Sequence, residues 1–394
     1  MSPVTVKRAR IDSVDVLRGM IMLLMALDHV RDYFGDAAAS PTNLATTTVP
    51  LFFTRWVTHI CAPVFFLLTG TGAYLALRRR SRRGLSRFLL TRGLWLIFLE
   101  LVLVRCLGWQ WNFDYHLTML TVLWALGWSM IVLSGLIYLP ASVVAVIGGI
   151  IIAGHNLLDG VQAASLGAFA PVWTILHSPG VVFSDGSHLV FAAYVLIPWV
   201  GVTAVGYALG QIFEWQPERR RRFLLRGGLA SIATFLVLRT LNVYGDPAKW
   251  APQKSAVFTF LSFINTTKYP PSLLFLLMTL GPALLLLRAF DGRVYSSRNP
   301  ALIVGRVPMF YYIAHIVVIH TLAFVAALVR FHDARTVFES PTLDRFPITQ
   351  PPGWPLSLPW IYLIWISVLV ILYPACRWYA RKKLGSGNPW LSYL

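Results

Sequence analysis

The sequence predicts an all-α protein, a polytopic bundle of about ten transmembrane helices in a single domain (1–394), with both termini in the cytoplasm. Of the 394 residues, 57% are hydrophobic and only 13% are charged, too few for the polar surface of a soluble domain. The apolar residues form runs of membrane-spanning length, and most basic residues lie in short clusters between these runs.

Ten segments have about the 20 residues that a helix needs to cross the hydrocarbon core. We place them at residues 14–34, 56–77, 90–108, 117–138, 142–158, 189–212, 224–243, 271–289, 301–328 and 356–377. No obvious internal repeat or linker divides them, which favours one domain.

The basic clusters support this count and orient the chain. They hold 23 of the 34 Lys and Arg residues and lie at 1–10, 78–92, 214–226, 288–306 and 377–383. With ten spans and a cytoplasmic N-terminus, all five fall on one side, as the positive-inside rule expects. The net charge of +18 therefore indicates loops near anionic lipid. No motif for nucleic acid accompanies it.

The first span contains ionisable residues that a simple anchor would not need. Each costs roughly 2.5–3.5 kcal/mol in a bilayer unless it is paired or faces a cavity. Arg18 and His29 are eleven residues apart, so they share a helix face at a separation of about 16 Å. This predicts an inner arginine that binds phosphate and an outer imidazole that acts as a general base. The alternative is a set of buried ion pairs and a histidine satisfied in the core.

Three nearby residues extend the prediction. Asp28 is a candidate to orient the His29 imidazole, although it points about 100° away on an ideal helix. His59 lies at a comparable depth on the second span, where a core histidine bonded to a carbonyl is the alternative. Gly70, nearer the cytoplasmic end, would let a phosphate approach or would simply allow close helix packing.

Two outer segments carry the remaining candidates. NFDYH contains Asp114 and His116, and NTTKYPPS contains Lys268 and Tyr269. We predict that both line an acceptor pocket, the alternative for NFDYH being a solvated helix end. No HExxH, Walker or GxSxG motif is present, and no metal site is expected.

The first two spans, DVLRGMIMLLMALDHVRDYFG (15–35) and WVTHICAPVFFLLTGTGAYL (56–75), resemble bacterial membrane proteins related to the catalytic domain of heparan-alpha-glucosaminide N-acetyltransferase. The resemblance continues through RGLWLIFLELVLVR (92–105) and GRVPMFYYIAHIVVIH (305–320), and it covers most of the chain. The spacing of Arg18 and His29 is also similar to the Arg-x10-His pattern of bacterial polysaccharide O-acyltransferases.

Both resemblances imply a multi-pass transmembrane acetyltransferase of the bacterial inner membrane. Acetyl-CoA would bind from the cytoplasm, and its acetyl group would pass to an amine or hydroxyl of a glycan on the outer face. The residues expected to bind the donor are Arg18, Gly70, Arg78 and Arg79.

The chain departs from the family pattern at one position. In the lysosomal enzyme the catalytic histidine is placed in the loop between the first two helices, and an asparagine occupies the place of His29. Residues 35–53 contain no histidine here. The catalytic role therefore falls to His29 or His59, acting as a base or through a transient acetyl-histidine.

The alternative function is a proton-coupled transporter or exporter, in which the intramembrane Asp, Arg and His residues relay protons. No inverted repeat is visible to support it. The expected partners are acetyl-CoA, an extracytoplasmic glycan or amino-sugar acceptor and the lipid bilayer, with no nucleic acid. The acceptor, the acyl chain and the oligomeric state stay open, a homodimer being one option.

Overall fold

The computed structural model describes residues 11–385, without the side chains of the last two, so the basic segment predicted at 1–10 lies outside the described residues. The helices are α1 Asp12–Phe34, α2 Val49–Thr58, α3 Cys61–Ala76, α4 Arg82–Phe98, α5 Val122–Leu136, α6 Ala141–Gly154, α7 Ala170–Leu176, α8 Leu196–Leu209, α9 Pro217–Leu241, α10 Ala256–Ile264, α11 Leu273–Phe290, α12 Pro300–Arg306, α13 Pro308–Phe331 and α14 Leu358–Gly385. A π-helix, Leu99–Trp109, continues α4. Short 3-10 helices extend α3 (Leu77–Arg79), α6 (His155–Leu158) and α8 (Gly210–Glu214).

Every predicted span contains a helix. Seven helical segments within 11–385 are long and apolar enough to cross a membrane. The predicted spans outside these seven are occupied by the charged α1, by α4 with its π-helix, and by α5, which has 15 residues. The all-α membrane bundle is confirmed, while the count of ten spans stays a prediction.

Two predicted spans begin too early, because each starts with a strand. β1 Leu117–Leu120 precedes α5, and β3 Leu189–Ala192 precedes α8; β2 is Gly180–Ser184. The three form one small sheet in the order β1-β3-β2, with β1 parallel and β2 antiparallel to β3. A short apolar run fits a buried strand as well as a helix, which explains the error at 117–138 and 189–212.

The predicted span 56–77 is broken near its first residues. α2 ends at Thr58 and α3 starts at Cys61. Pro63 has no N–H to donate to the carbonyl of His59, four residues earlier. The interruption therefore lies at His59, one of the candidate residues.

The basic segments meet at one end of the bundle, which we call the basic end. Their contacts are Arg306–Asp12, Arg220–Asp291, Arg78–Phe213, Arg82–Tyr138 and Tyr373–Arg298. The connections at the other end, the loop end, also contact one another, as in Asn265–Thr42, Gln350–Gly35 and Leu273–Asn156. Successive spans thus run between two chemically different ends.

Backbone contact joins α1 to α12. A Cβ atom at Gly19 would lie 1.7 Å from the carbonyl oxygen of Ala301, and one at Gly305 would lie 1.8 Å from that of Asp15. Only glycine allows helices to approach this closely. After a break at Val307, α12 leads directly into α13.

Candidate active site

Two histidines from distant parts of the chain meet between α1 and α13, and we call them the imidazole pair. The rings of His29 and His315 stack with centroids 4.9 Å apart. Nδ1 of His29 lies 2.7 Å from Nε2 of His315. His315 is fully buried, whereas His29 retains partial exposure. The His315 ring is therefore enclosed by the protein, whereas part of the His29 residue remains accessible.

The surroundings of His315 determine which nitrogen of His29 is basic. Nδ1 of His315 lies 2.9 Å from the carbonyl oxygen of Tyr311, so it carries a proton and donates. The neutral His315 ring then accepts at Nε2, and Nδ1 of His29 must be the donor. The lone pair of His29 is thereby assigned to Nε2. This tautomer suits a general base.

A cavity of about 450 Å³, which we call the arginine cavity, lies on the basic-end side of the pair. Apolar side chains form most of its wall, and three cations join them: Arg18, Arg80 and Arg92. Arg18 is anchored by Asp15 at 2.9 Å. Tyr312 also lines the cavity, and its ring centroid lies 5.6 Å from that of His315. One wall of the arginine cavity thus adjoins the imidazole pair.

Gly70, which was predicted to bind the donor, does not line the arginine cavity. A Cβ at Gly70 would lie 2.0 Å from the carbonyl oxygen of Thr203, because α3 packs there against α8. Gly206 of α8 makes the reciprocal contact, with a Cβ position 2.1 Å from the carbonyl oxygen of Leu67. Gly72, rotated by about 200° on the helix, has nothing within 4 Å and lines the arginine cavity.

Arg78 and Arg79, which were also predicted to bind the donor, lie elsewhere. Neither residue lines the arginine cavity. Arg78 instead donates to the carbonyl oxygen of Phe213 at 3.0 Å and lies 3.8 Å from the carboxylate of Glu214. The arginines that line the cavity beside Arg18 are Arg80, of the same basic run, and Arg92 of α4.

A second cavity, of about 460 Å³, lies at the loop end, and we call it the loop-end cavity. It brings together three predicted residues, His59, Lys268 and Tyr269. His59 is 3% exposed, and its Nδ1 has no hydrogen-bond partner in the described chain. The remaining charged lining residues are Arg31, Asp32, Asp36 and Arg55.

Aromatic rings lie between the loop-end cavity and the imidazole pair. Phe346 lines the cavity, and its ring centroid is 5.3 Å from that of Trp109. Trp109 in turn meets the edge of the His29 ring at 4.9 Å. The two cavities share no lining residue. The imidazole pair therefore lies between Tyr312 on one side and Trp109 on the other.

Asp28 does not orient His29, contrary to the prediction. Its carboxylate accepts a hydrogen bond from Arg31 at 3.0 Å and forms an ion pair with Arg55. Asp28 is buried, and removing either guanidinium would weaken the compensation of its charge. The contact to the imidazole is made by His315, which the sequence analysis did not select.

Asp114 and His116 do not line the loop-end cavity. Asp114 accepts hydrogen bonds from Ser340 at 2.7 Å, from Arg105 at 3.1 Å and from the backbone N–H of His116. Partial burial alone would raise the pKa of Asp114, but these hydrogen bonds lower it below its ordinary value. His116 contacts the carbonyl oxygen of Ser187. Both residues thus belong to a separate polar cluster.

No group of three or more His, Cys, Asp or Glu residues within 11–385 could hold a metal ion. The contacts instead define a class: a membrane-spanning helix bundle with a cavity on each side of a buried imidazole pair. Residues 10–245 match the family described as "Heparan-alpha-glucosaminide N-acetyltransferase, catalytic". Because this match covers more than half of the chain, the protein belongs to that family. No curated protein sequence matches the chain.

Proposed function

We propose that this protein is a transmembrane acetyltransferase that takes an acetyl group from acetyl-CoA at the basic end and transfers it to an amine or hydroxyl of a glycan at the loop end. Membership of the family supports the class of reaction. The positive-inside rule assigns the basic end to the cytoplasm, where acetyl-CoA is made.

The arginine cavity fits the donor by its chemistry. Arg18, Arg80 and Arg92 supply cations for phosphate groups, and a guanidinium binds phosphate through two parallel hydrogen bonds. The apolar wall suits the long arm that carries the thioester. A volume of about 450 Å³ is within the usual range for small-molecule sites.

The imidazole pair is the observation that carries the proposal. Nε2 of His29 accepts the proton of the acceptor amine or hydroxyl while the nitrogen or oxygen attacks the thioester carbonyl carbon. The carbon–sulfur bond then breaks, and the proton on Nε2 passes to the departing thiolate. His315 keeps the imidazole in the required tautomer throughout, since it accepts from Nδ1.

The test measures transfer of radiolabel from acetyl-CoA to glycan acceptors in membranes containing the protein. We expect His29→Ala to lower the rate about 10²–10⁴-fold, the usual contribution of a general base. His188→Ala is the matched control, because His188 is an exposed histidine that pairs with Asp185 and lines neither cavity. Undiminished labelling by a stably expressed His29→Ala variant would eliminate the assigned role.

The transporter hypothesis makes a different prediction in the same preparation. Uptake of solute into sealed vesicles, driven by a proton gradient and independent of acetyl-CoA, would replace the acetyltransferase proposal. Labelled acceptor without such uptake would support it.

A further inference from the structure

The loop-end cavity has a side pocket of about 240 Å³ that leads away from it between helices. The two spaces share four lining residues, which are Arg31, Asp36, Ala39 and Pro41. The far wall of the side pocket is apolar and comes from the start of α2 and the start of α14; it includes Leu51, Leu358 and Ile361. A ligand that extends from the cavity into the side pocket therefore passes from charged groups to hydrocarbon.

A separate apolar groove of about 590 Å³ lies deeper in the bundle, among α1, α2, α11 and α14. Its lining, as far as residues 11–385 form it, contains no charged side chain. The polar side-chain hydrogens of that lining belong to Trp56, Thr279 and Trp365, and all three are donated to backbone carbonyl oxygens. The groove is therefore an apolar site.

The apolar groove continues the line of the side pocket along α2 and α14, which border both spaces. On α14, Ile361 of the pocket and Trp365 and Leu369 of the groove are spaced by four residues, so they lie on one face of the helix. This face is about 12 Å long. The hydroxyl groups of Thr54 and Tyr362, 2.9 Å apart, join the two helices between the pocket and the groove.

Both spaces lie at the level of the membrane. α11, α14 and the segment that contains α2 and α3 are long and apolar enough to cross it. Trp360, at the start of α14, is 56% exposed, and exposed tryptophans are typical of the boundary between lipid and water. The side pocket is therefore near this boundary and the groove is within the hydrocarbon layer, where a molecule in the bilayer reaches it from the side.

We propose that the acceptor is a glycolipid, whose sugar occupies the loop-end cavity and whose aliphatic tail leaves through the side pocket and lies in the apolar groove. This inference rests on the proposed function, because it names the chemical class of the acceptor in that reaction. A wall that changes from charged to apolar along one path fits an amphiphile, whereas a glycan without a tail needs no apolar exit. Each methylene group moved out of water strengthens binding about fourfold.

The first test measures binding and does not depend on catalysis. The full-length chain in phosphatidylcholine vesicles is irradiated with dodecyl glucosaminide that carries a diazirine at the end of its tail, and the labelled peptides are mapped. We expect label at 278–286 and 365–369, and we expect unmodified dodecyl glucosaminide to displace it while dodecanol does not. Equal displacement by both compounds, or label spread over all lipid-facing helices, assigns the groove to ordinary lipid and overturns the proposal.

The second test compares two neutral acceptors, methyl glucosaminide and dodecyl glucosaminide, in the labelling assay with vesicles. In the wild type we expect a KM at least about tenfold lower for the dodecyl compound, because its tail is buried. Val57 lines the groove and is 43% exposed, so Val57→Trp places an indole in the groove from its open side. This variant should lose most of the preference and keep the wild-type KM for methyl glucosaminide and for acetyl-CoA.

Val370→Trp is the matched control, because Val370 is 67% exposed on α14 and does not line the groove. A tail also concentrates the acceptor in the bilayer, so the comparison of variants decides. A preference that Val57→Trp leaves unchanged overturns the proposal, as does an equal loss in both variants or the absence of any preference in the wild type. Failure to label either acceptor would instead defeat the proposed function, and the diazirine experiment still decides whether the groove binds the tail.

Discussion

The two cavities are nearly equal in volume but differ in their walls. The arginine cavity is mainly apolar, with three guanidinium groups, whereas the loop-end cavity is lined by acids, bases and amide or hydroxyl groups. A chain that bound one ligand alternately from two sides would be expected to present similar chemistry to both. The difference between the walls fits the two different ligands of the proposed reaction, a donor with phosphates and a long arm and an acceptor with many polar groups.

The largest expected effect concerns the imidazole pair that separates the cavities. His315→Ala removes the acceptor for Nδ1 of His29 and allows the wrong tautomer, so kcat should fall about 10²-fold with little change in either KM. His315→Gln, which can return a carbonyl oxygen, should recover part of the loss.

The measurement for His315 is steady-state labelling, with Thr321→Ala as the control because Thr321 is exposed on the same helix. A His315→Ala variant with wild-type kcat would show that the proposed transfer does not need His315 to fix the tautomer of His29.

The second effect tests which glycine of α3 borders the arginine cavity. Gly70→Ala forces a methyl group into the backbone of α8, and overpacking of this kind costs about 1–3 kcal/mol. Gly72→Ala meets open space and should unfold like the wild type. Thermal unfolding in detergent distinguishes the two. If Gly70→Ala were as stable as the wild type and only its affinity for the donor were lower, Gly70 would be assigned to the donor site.

The third effect separates the ligands of the two cavities. Arg80→Gln should raise the KM for acetyl-CoA about tenfold, equivalent to 1.4 kcal/mol, and leave the KM of the acceptor unchanged. Arg83→Gln is the control, since Arg83 is exposed and does not line the cavity. A change in the acceptor KM alone would reverse the assignment of donor and acceptor.

The smallest expected effect tests whether Asp114 belongs to the loop-end cavity or only stabilises the fold. Hydrogen bonds hold the pKa of Asp114 below its ordinary value, so its charge stabilises the fold above the unfolded pKa and that stability is lost as the pH falls through the folded pKa. Asp114→Asn should lower the free energy of unfolding at pH 7 by less than about 1 kcal/mol, because the side chain is half exposed, and the unfolding temperature should fall slightly. The difference should begin to shrink below about pH 4, the ordinary pKa of an aspartate, and should vanish only below the lower pKa of the folded state.

The control for Asp114→Asn is Asp344→Asn, because Asp344 is an exposed acid whose ion pair with Arg345 is long, at 4.0 Å. A raised acceptor KM in Asp114→Asn, without a change in stability, would extend the acceptor site to the cluster around Arg105.

Hydropathy and charge were sufficient to predict where the long helices lie, because a membrane span requires about 20 apolar residues and basic loops mark one side. They could not predict the sheet, since Leu117–Leu120 and Leu189–Ala192 are apolar runs directly before helices. They also missed the interruption at His59, although Pro63 was a visible signal for it.

For the site, spacing along one helix selected Arg18 and His29; the structure places Arg18 in the arginine cavity and His29 against His315. His59 and Lys268, chosen from different segments, line the same cavity. His315 escaped because its partner lies 286 residues away and helical periodicity describes neighbours within one helix. The choice between Gly70 and Gly72 depended on the rotation of α3 about its axis, which an evenly apolar helix does not reveal.

The glycine contacts at Gly19 and Gly305 have a consequence for catalysis at long range. They lock α1 to the short helix that leads into α13, and these are the two helices that carry the imidazoles. The separation of His29 from His315 thus depends on backbone contacts about ten residues, or 15 Å, away along the two helices. A methyl group at Gly19 would force α1 and α12 apart. It would change the distance between Nδ1 of His29 and Nε2 of His315 without contacting either cavity ligand.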